Sequence, residues 1–322
     1  MADLNHKPQL LFVVGPTASG KTALAVEIAE RMGAEIISAD SVQIYSELKI
    51  GSARPSEEEL SRVKHHLVGH VSVAADYTAG DFEREAREIL ARNPTKSYLV
   101  VGGSGFYVQA LEKGMYPIFK ADEGVRNELE ARADKLGLEG LHRELEERDP
   151  EAARKIAPQD RYRIIRALEI LTTLEPGQKL SQVREGFEQA RRSKGERFPD
   201  RLVRTLTLQL ERERLEPRVR LRTRKMLQAG LEAEVGELVG KGFGERPALQ
   251  SVGYREVLQS RLGTLEESLE EAIVRGTLRL AKKQRTWFGR TDALASSLNS
   301  ASFDAERDLV AAVNWAISAP AT

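Results

Sequence analysis

The stretch "LLFVVGPTASGKTALAVEIAERMG", residues 10–33, decides the fold. Its first five residues are apolar and fit a short buried strand, while Ala23, Leu24, Ile28, Ala29 and Met32 recur at helical spacing. Between them Gly15, Gly20, Lys21 and Thr22 satisfy G-x-x-x-x-G-K-[ST] without a gap. Strand, glycine loop and helix in that order make a phosphate cradle. Glycines let the backbone turn tightly so that successive N–H groups face anionic oxygens, the helix start adds its positive dipole end, and Lys21 adds a full charge. Gly15, Pro16, Thr17, Ala18, Ser19, Gly20, Lys21 and Thr22 are therefore the expected phosphate site, with the Thr22 hydroxyl as a ligand for Mg²⁺.

Three further runs read as strands: "AEIISA" ending at residue 39, "SYLVV" at 101 and "RTLTLQL" at 210. Helical patterns separate the first three strands, so residues 1–117 predict an α/β core of P-loop NTPase type, a parallel sheet flanked by helices. Residues 118–200 change character. Charged helical patterns such as "GVRNELEARADKLG" and "YRIIRALEILTTL", broken by turns at "DPEAA" and "EPGQK", predict an all-helical insertion domain. Residues 201–322 resume the core with one strand and then helices to the C-terminus.

With 49 Lys+Arg against 49 Asp+Glu, overall charge points to no polyanionic partner. The absence of cysteine excludes disulfides, thiolate zinc sites and a cysteine nucleophile. The start, "MADLNHKPQL", has no secretory pattern, and no run of about 18 apolar residues occurs, so a cytoplasmic protein without a membrane span is expected. Charge is nonetheless uneven. "RLAKKQRTWFGR" (279–290) carries Arg279, Lys282, Lys283, Arg285 and Arg290 beside Trp287 and Phe288, and "RVRLRTRK" (218–225) adds five cations. Such runs suit either a nucleic-acid backbone or solvated helix faces. His65 and His66 are neighbours in sequence, so their side chains diverge and a structural role in a loop is expected, not metal binding or catalysis.

A nucleotide hydrolase or kinase would close a strand on an acid that holds Mg²⁺, but "YLVVGGSGFY" closes on Gly102 and Gly103. The acid lies elsewhere. "EIISAD" ends the second strand in Asp40, expected next to the phosphate loop at the carboxyl edge of the sheet, where ligands bind. A carboxylate there serves as a general base or as a strand-end turn, and position alone does not choose.

The segments "ADSVQIYSELKIGSARPS" (39–56), "HHLVG" (65–69), "VVGGSGFYVQAL" (100–111), "RALEIL" (166–171), "RTRKML" (222–227), "VGYREV" (252–257) and "AKKQRTWF" (281–288) follow in order. Together they resemble the tRNA dimethylallyltransferase family across residues 10–290. The resemblance implies transfer of a dimethylallyl group from dimethylallyl diphosphate to N6 of the adenosine 3′ to the anticodon, with release of diphosphate. It implies that the phosphate loop holds a prenyl diphosphate with Mg²⁺ on Thr22, and that Asp40, Ser104 and Arg222 are catalytic. Ser104 stands where the family usually has threonine. Contacts to tRNA are implied for Asp40, Ser41, Val42, Gln43 and Ser104, and in the insertion for Arg126, Tyr162, Arg163, Ile164, Ile165 and Arg166. The expected partners are the anticodon stem-loop of tRNA and dimethylallyl diphosphate, with the protein a monomer. Rival functions are prenyl transfer to free adenine nucleotides, a P-loop small-molecule kinase or NTPase, and an RNA-binding module.

Overall fold

In the computed structural model, which describes residues 7–115, 123–193, 197–289 and 300–318, the chain opens with β1 (Gln9–Val14), apolar and buried on both faces. A strand of that kind needs helices on either side of its sheet. They follow as α1 (Lys21–Met32), β2 (Glu35–Ser38), α2 (Glu57–Arg62), β3 (His65–His66), α3 (Ala79–Arg92), β4 (Tyr98–Gly102) and α4 (Gly105–Lys113). Next come α5 (Glu123–Arg148), α6 (Pro150–Arg154), α7 (Arg161–Thr173) and α8 (Leu180–Ser193). The chain ends with β5 (Leu202–Gln209), α9 (Arg212–Gln228), α10 (Leu231–Gly240), α11 (Tyr254–Arg261), α12 (Leu269–Phe288), β6 (Ser300–Asp304) and α13 (Leu309–Ile317).

Two compact units result, residues 1–114 with 198–322 and residues 115–197. The division falls after Gly114 and Arg197, where the sequence sets 117 and 200. In the first unit six strands make one sheet in the order β3-β2-β4-β1-β5-β6, every pair parallel. Phe12 of β1 pairs with Val100 of β4 and Thr205 of β5. Helix α1 covers one face, burying Leu24, Ala25, Ile28 and Ala29 in the cluster that holds Leu11, Val13, Ile36 and Val101. A large apolar side chain buried this way contributes about 1.5–3 kcal/mol, so Ile28→Ala would open a void under the phosphate loop's own helix.

Three expectations are corrected. Strand β4 lies between β1 and β2, so Asp40 is one strand removed from the phosphate loop. His65 and His66 form a short strand paired with Ile36 and Ile37 instead of a loop. The C-terminal part is not helical throughout, because Ser300–Asp304 adds β6 beside Thr205–Gln209. Its residues are exposed or half-buried, as an edge strand allows, so no apolar run marks it.

The second unit is all-helical among its described residues. Leu129, Leu141, Leu145, Ile164, Ile165, Leu168 and Leu171 form its core. Gly137, at φ 76°, breaks α5 into two helical pieces. Buried Asp149 caps α6 through the Ala152 amide and accepts both the amide and the hydroxyl of Ser181 on α8.

Candidate active site

The parallel strands deliver their carboxyl ends to one edge, and the phosphate loop leaves β1 there. Gly15 has no room for a side chain, since a Cβ would lie 2.5 Å from the Leu208 carbonyl of β5. Gly20 begins α1 in the left-handed region at φ 89°, without a side-chain cap, which leaves the first helical amides open to an anion. Ala18 is held at φ 61°, a strained conformation costing about 1–2 kcal/mol. Lys21 folds back so that Nζ donates to the Pro16 carbonyl at 2.7 Å. Enclosure of this ammonium pulls its pKa down to about 7, with Asp40 opposing the shift and Arg222 adding to it. The Ser19 hydroxyl is buried without a hydrogen-bond partner.

A cavity of about 800 Å³ opens over the loop, lined among others by Thr17, Lys21, Thr22, Asp40, Gly103 and Arg222. Helix α9 turns one face to it, with Arg218, Arg222 and Met226 at successive turns. Arg222 Nη1 donates to Thr17 Oγ1 at 3.3 Å, and its burial lowers the guanidinium pKa against the pull of Asp40. Asp40 does both things its position allows. Oδ1 accepts the amides of Val42 (2.9 Å) and Gln43 (3.2 Å), which makes the turn after β2, while Oδ2 takes no hydrogen bond among the described residues.

Neighbouring expected residues are committed to the loop itself. Gln43 Nε2 donates to the Ser52 and Ala53 carbonyls and its Oε1 accepts from Ser38, so its amide braces the 40–56 loop. Ser104 is the N-terminal boundary residue of α4 yet does not cap it; its Oγ accepts the Ser41 amide at 2.9 Å and lies 3.2 Å from the Ser41 hydroxyl. Val42 lines the cavity, whereas Ser41 is exposed beside it.

Magnesium fits this donor set. Among the described residues no group of three His, Cys, Asp or Glu side chains converges, so they form no all-protein cage. Mg²⁺ keeps several waters and binds through one or two protein oxygens plus substrate phosphates. The cavity offers Thr22 and Asp40 beside an anion-ready helix start.

The IPP transferase family model matches residues 43–291. The chain belongs to the IPP transferase family. It is 42% identical over 293 residues to a tRNA dimethylallyltransferase of Geobacter metallireducens, covering 88% of this chain and 91% of the relative. A tRNA dimethylallyltransferase of Myxococcus xanthus is 40% identical over 288 residues, covering 88% and 90%. Among solved structures, the full-length tRNA isopentenylpyrophosphate transferase of Bacillus halodurans superposes with a TM-score of 0.66 at 30% identity, covering 96% of this chain and 95% of that one. A eukaryotic dimethylallyltransferase acting on tRNA shares the fold, with a TM-score of 0.75 over 93% and 74% of the two chains.

The insertion residues differ in exposure. Tyr162 is 64% exposed, with Arg126 Cζ 5.8 Å from its ring centre, and Arg163 is exposed beside Asp160. These offer an exposed aromatic and an exposed cation, with the half-buried Arg126 beside the ring. Ile164 and Ile165 are corrected to core residues, 0% and 2% exposed, with no side-chain surface for RNA. Arg166 is half-buried and pairs with Glu169 at 2.9 Å.

The two basic runs also differ. The 218–225 run does not stand as a free patch: Arg220 pairs with Glu216 and Glu271, Arg224 with Glu270, and Arg218 with Glu306, while Arg222 turns into the cavity. On α12, Arg279, Lys282 and Lys283 are exposed and have no acidic partner among the described residues. Arg290 lies outside the described residues.

Several residues at the site escape sequence reasoning. Gln284 and His65 line the same cavity. His65 Nδ1 donates to the Val63 carbonyl at 2.8 Å, Nε2 is buried without a partner, and burial pushes the ring pKa down. Glu234 accepts the amides of the 49–51 turn from α10. The string "AKKQRTWF" signals Gln284; no local signal marks Glu234.

Proposed function

We infer that the chain transfers a dimethylallyl group from dimethylallyl diphosphate to N6 of the adenosine 3′ to the anticodon of tRNA, leaving diphosphate. What carries this is the likeness, over 88% of this chain, to relatives named tRNA dimethylallyltransferase. The site's chemistry supports it. An exocyclic adenine amine is a weak nucleophile, and a carboxylate oxygen uncommitted to the fold, Asp40 Oδ2, takes its proton as the C–N bond forms. The bond from the prenyl carbon to the diphosphate oxygen breaks in the same step. Charge then builds on the leaving diphosphate, and the amides at the start of α1, Lys21 and Arg222 meet it. Mg²⁺, held by Thr22 and the diphosphate itself, supplies further Lewis-acid stabilisation when bound.

The target base must leave its stack to reach Asp40, at a cost of a few kcal/mol that a single-stranded anticodon loop keeps small. Contacts to RNA are assigned to the Asp40–Gln43 turn, Ser104, the exposed side of α12, and Arg126, Tyr162 and Arg163 of the helical unit. On this reading the protein works as a monomer in the cytoplasm. The test is incubation with Mg²⁺, labelled dimethylallyl diphosphate and, in parallel, unmodified tRNA, AMP and ATP. Label on tRNA alone is the expected result. Label on AMP, or ATP hydrolysis without transfer, overturns it.

A further inference from the structure

The carboxamide of Gln284 on α12 is bonded at both ends. Oε1 accepts the Thr17 amide at 2.7 Å, and Nε2 donates to the Gly103 carbonyl at 3.1 Å. Thr17 belongs to the phosphate loop. Gly103 belongs to the turn after β4 that carries Ser104. Space is made for the amide: a Cβ on Gly103 would stand 2.3 Å from Nε2. One turn farther along α12, Trp287 packs on Gly105 so closely that a Cβ there would lie 2.2 Å from the ring. The helix therefore grips the Gly103–Gly105 turn twice, and through Gln284 it grips the phosphate loop as well. The two bonds need an acceptor and a donor on one planar group, which a glutamine amide supplies.

We propose that Gln284 is a positioning residue for the transfer reaction, holding the diphosphate loop and the Ser104 turn at one separation so that the prenyl carbon and the adenine amine meet in line. It rests on the transferase function inferred above and adds a residue that does not itself touch the reacting atoms. A displacement of about 1 Å at such a site costs on the order of 100-fold in rate. The effect belongs in kcat, because neither substrate loses a contact.

The test uses the full chain with unmodified tRNA and dimethylallyl diphosphate. Gln284→Met fills the space and makes neither bond; kcat is expected to fall about 100-fold while both KM values stay near wild type, the melting temperature dropping by the few degrees that two lost hydrogen bonds imply. Gln284→Glu keeps an acceptor for Thr17 and loses the donor to Gly103, and is expected to fall in between. Gly103→Ala is expected to match the loss of Gln284→Met, yet to add little in a Gln284→Ala background, where its methyl has room. A Gln284→Met enzyme with near-normal kcat, a defect confined to KM, or additive losses in the Gly103/Gln284 pair would each overturn the proposal. Absence of wild-type transfer to tRNA would instead refute the underlying function, and this inference with it.

Discussion

Tyr254 at the start of α11 donates to Glu234 of α10 at 2.7 Å, and the same carboxylate accepts the amides of Lys49, Ile50 and Gly51. Two helices distant in sequence thereby anchor the loop that descends from Asp40. Gly51 has no side chain because a Cβ would sit 2.4 Å from the Tyr254 ring. Burial and the carboxylate together hold the tyrosine hydroxyl protonated far above its ordinary range. Tyr254→Phe removes one of four donors and should cost about 1–2 kcal/mol. Glu234→Ala strands three amides and should cost more, with a fall in turnover as the Asp40 loop loosens. Urea unfolding ranks the two, and a larger loss for Tyr254→Phe would contradict this arrangement.

Asp40→Asn preserves the turn, because an amide oxygen still accepts from Val42 and Gln43. What it removes is the proton acceptor. Single-turnover transfer should slow by about 10²–10⁴-fold with tRNA affinity nearly unchanged. Equal loss of binding and rate would assign Asp40 to recognition instead.

Burial draws the Lys21 ammonium pKa down to about 7. Below that pH the diphosphate meets a cation already formed; above it, binding must take up a proton, and affinity should weaken by up to about tenfold per pH unit. Lys21→Arg stays charged throughout. The ratio of donor dissociation constants, wild type over variant, should therefore rise above pH 7 and be flat below it, the donor's own ionisation being common to both. The same shift acts on stability with a definite sign: between about pH 7 and the ordinary lysine range the unfolded chain binds more protons, so stability climbs with pH there. Parallel binding profiles for the two proteins would move the titration to another group.

Within the helical unit, Tyr162→Ala and Ile164→Ala separate surface from core. Loss of an exposed stacking ring should weaken tRNA binding by about 1–3 kcal/mol and leave unfolding unchanged. Truncating Ile164 should cost about 2–5 kcal/mol of stability in that unit, with tRNA affinity of the folded protein intact. Filter binding and thermal unfolding of the two variants read these outcomes directly.

The phosphate loop was legible because glycine spacing, a lysine and two flanking periodicities constrain one another within a short stretch. Strands β1, β2 and β4 were legible as apolar runs, since parallel strands bury both faces. β3 and β6 were not: one has two residues and the other is half-exposed, so neither carries a hydrophobic pattern. The neighbourhood of Asp40 is not legible from sequence, because strand order is a tertiary property and β4 enters between β1 and β2. Ile164 and Ile165 sit inside the motif, yet their helical spacing to Leu168 already marks a core stripe. The bonds of Gln284 reach partners far back in the chain, beyond any local signal.

Strand β1 precedes the other described strands in the chain and pairs on one side with β5, so Gln9 meets Leu202 only after the whole helical unit has been made. Local helices can form during that wait, whereas the central strand stands with one edge bare. Arg222 and Gln284 arrive later still. A nascent or prematurely ended chain would thus carry a complete glycine loop and no finished place for a donor. Such fragments should be substrates for chaperones and proteases and not partially active enzymes.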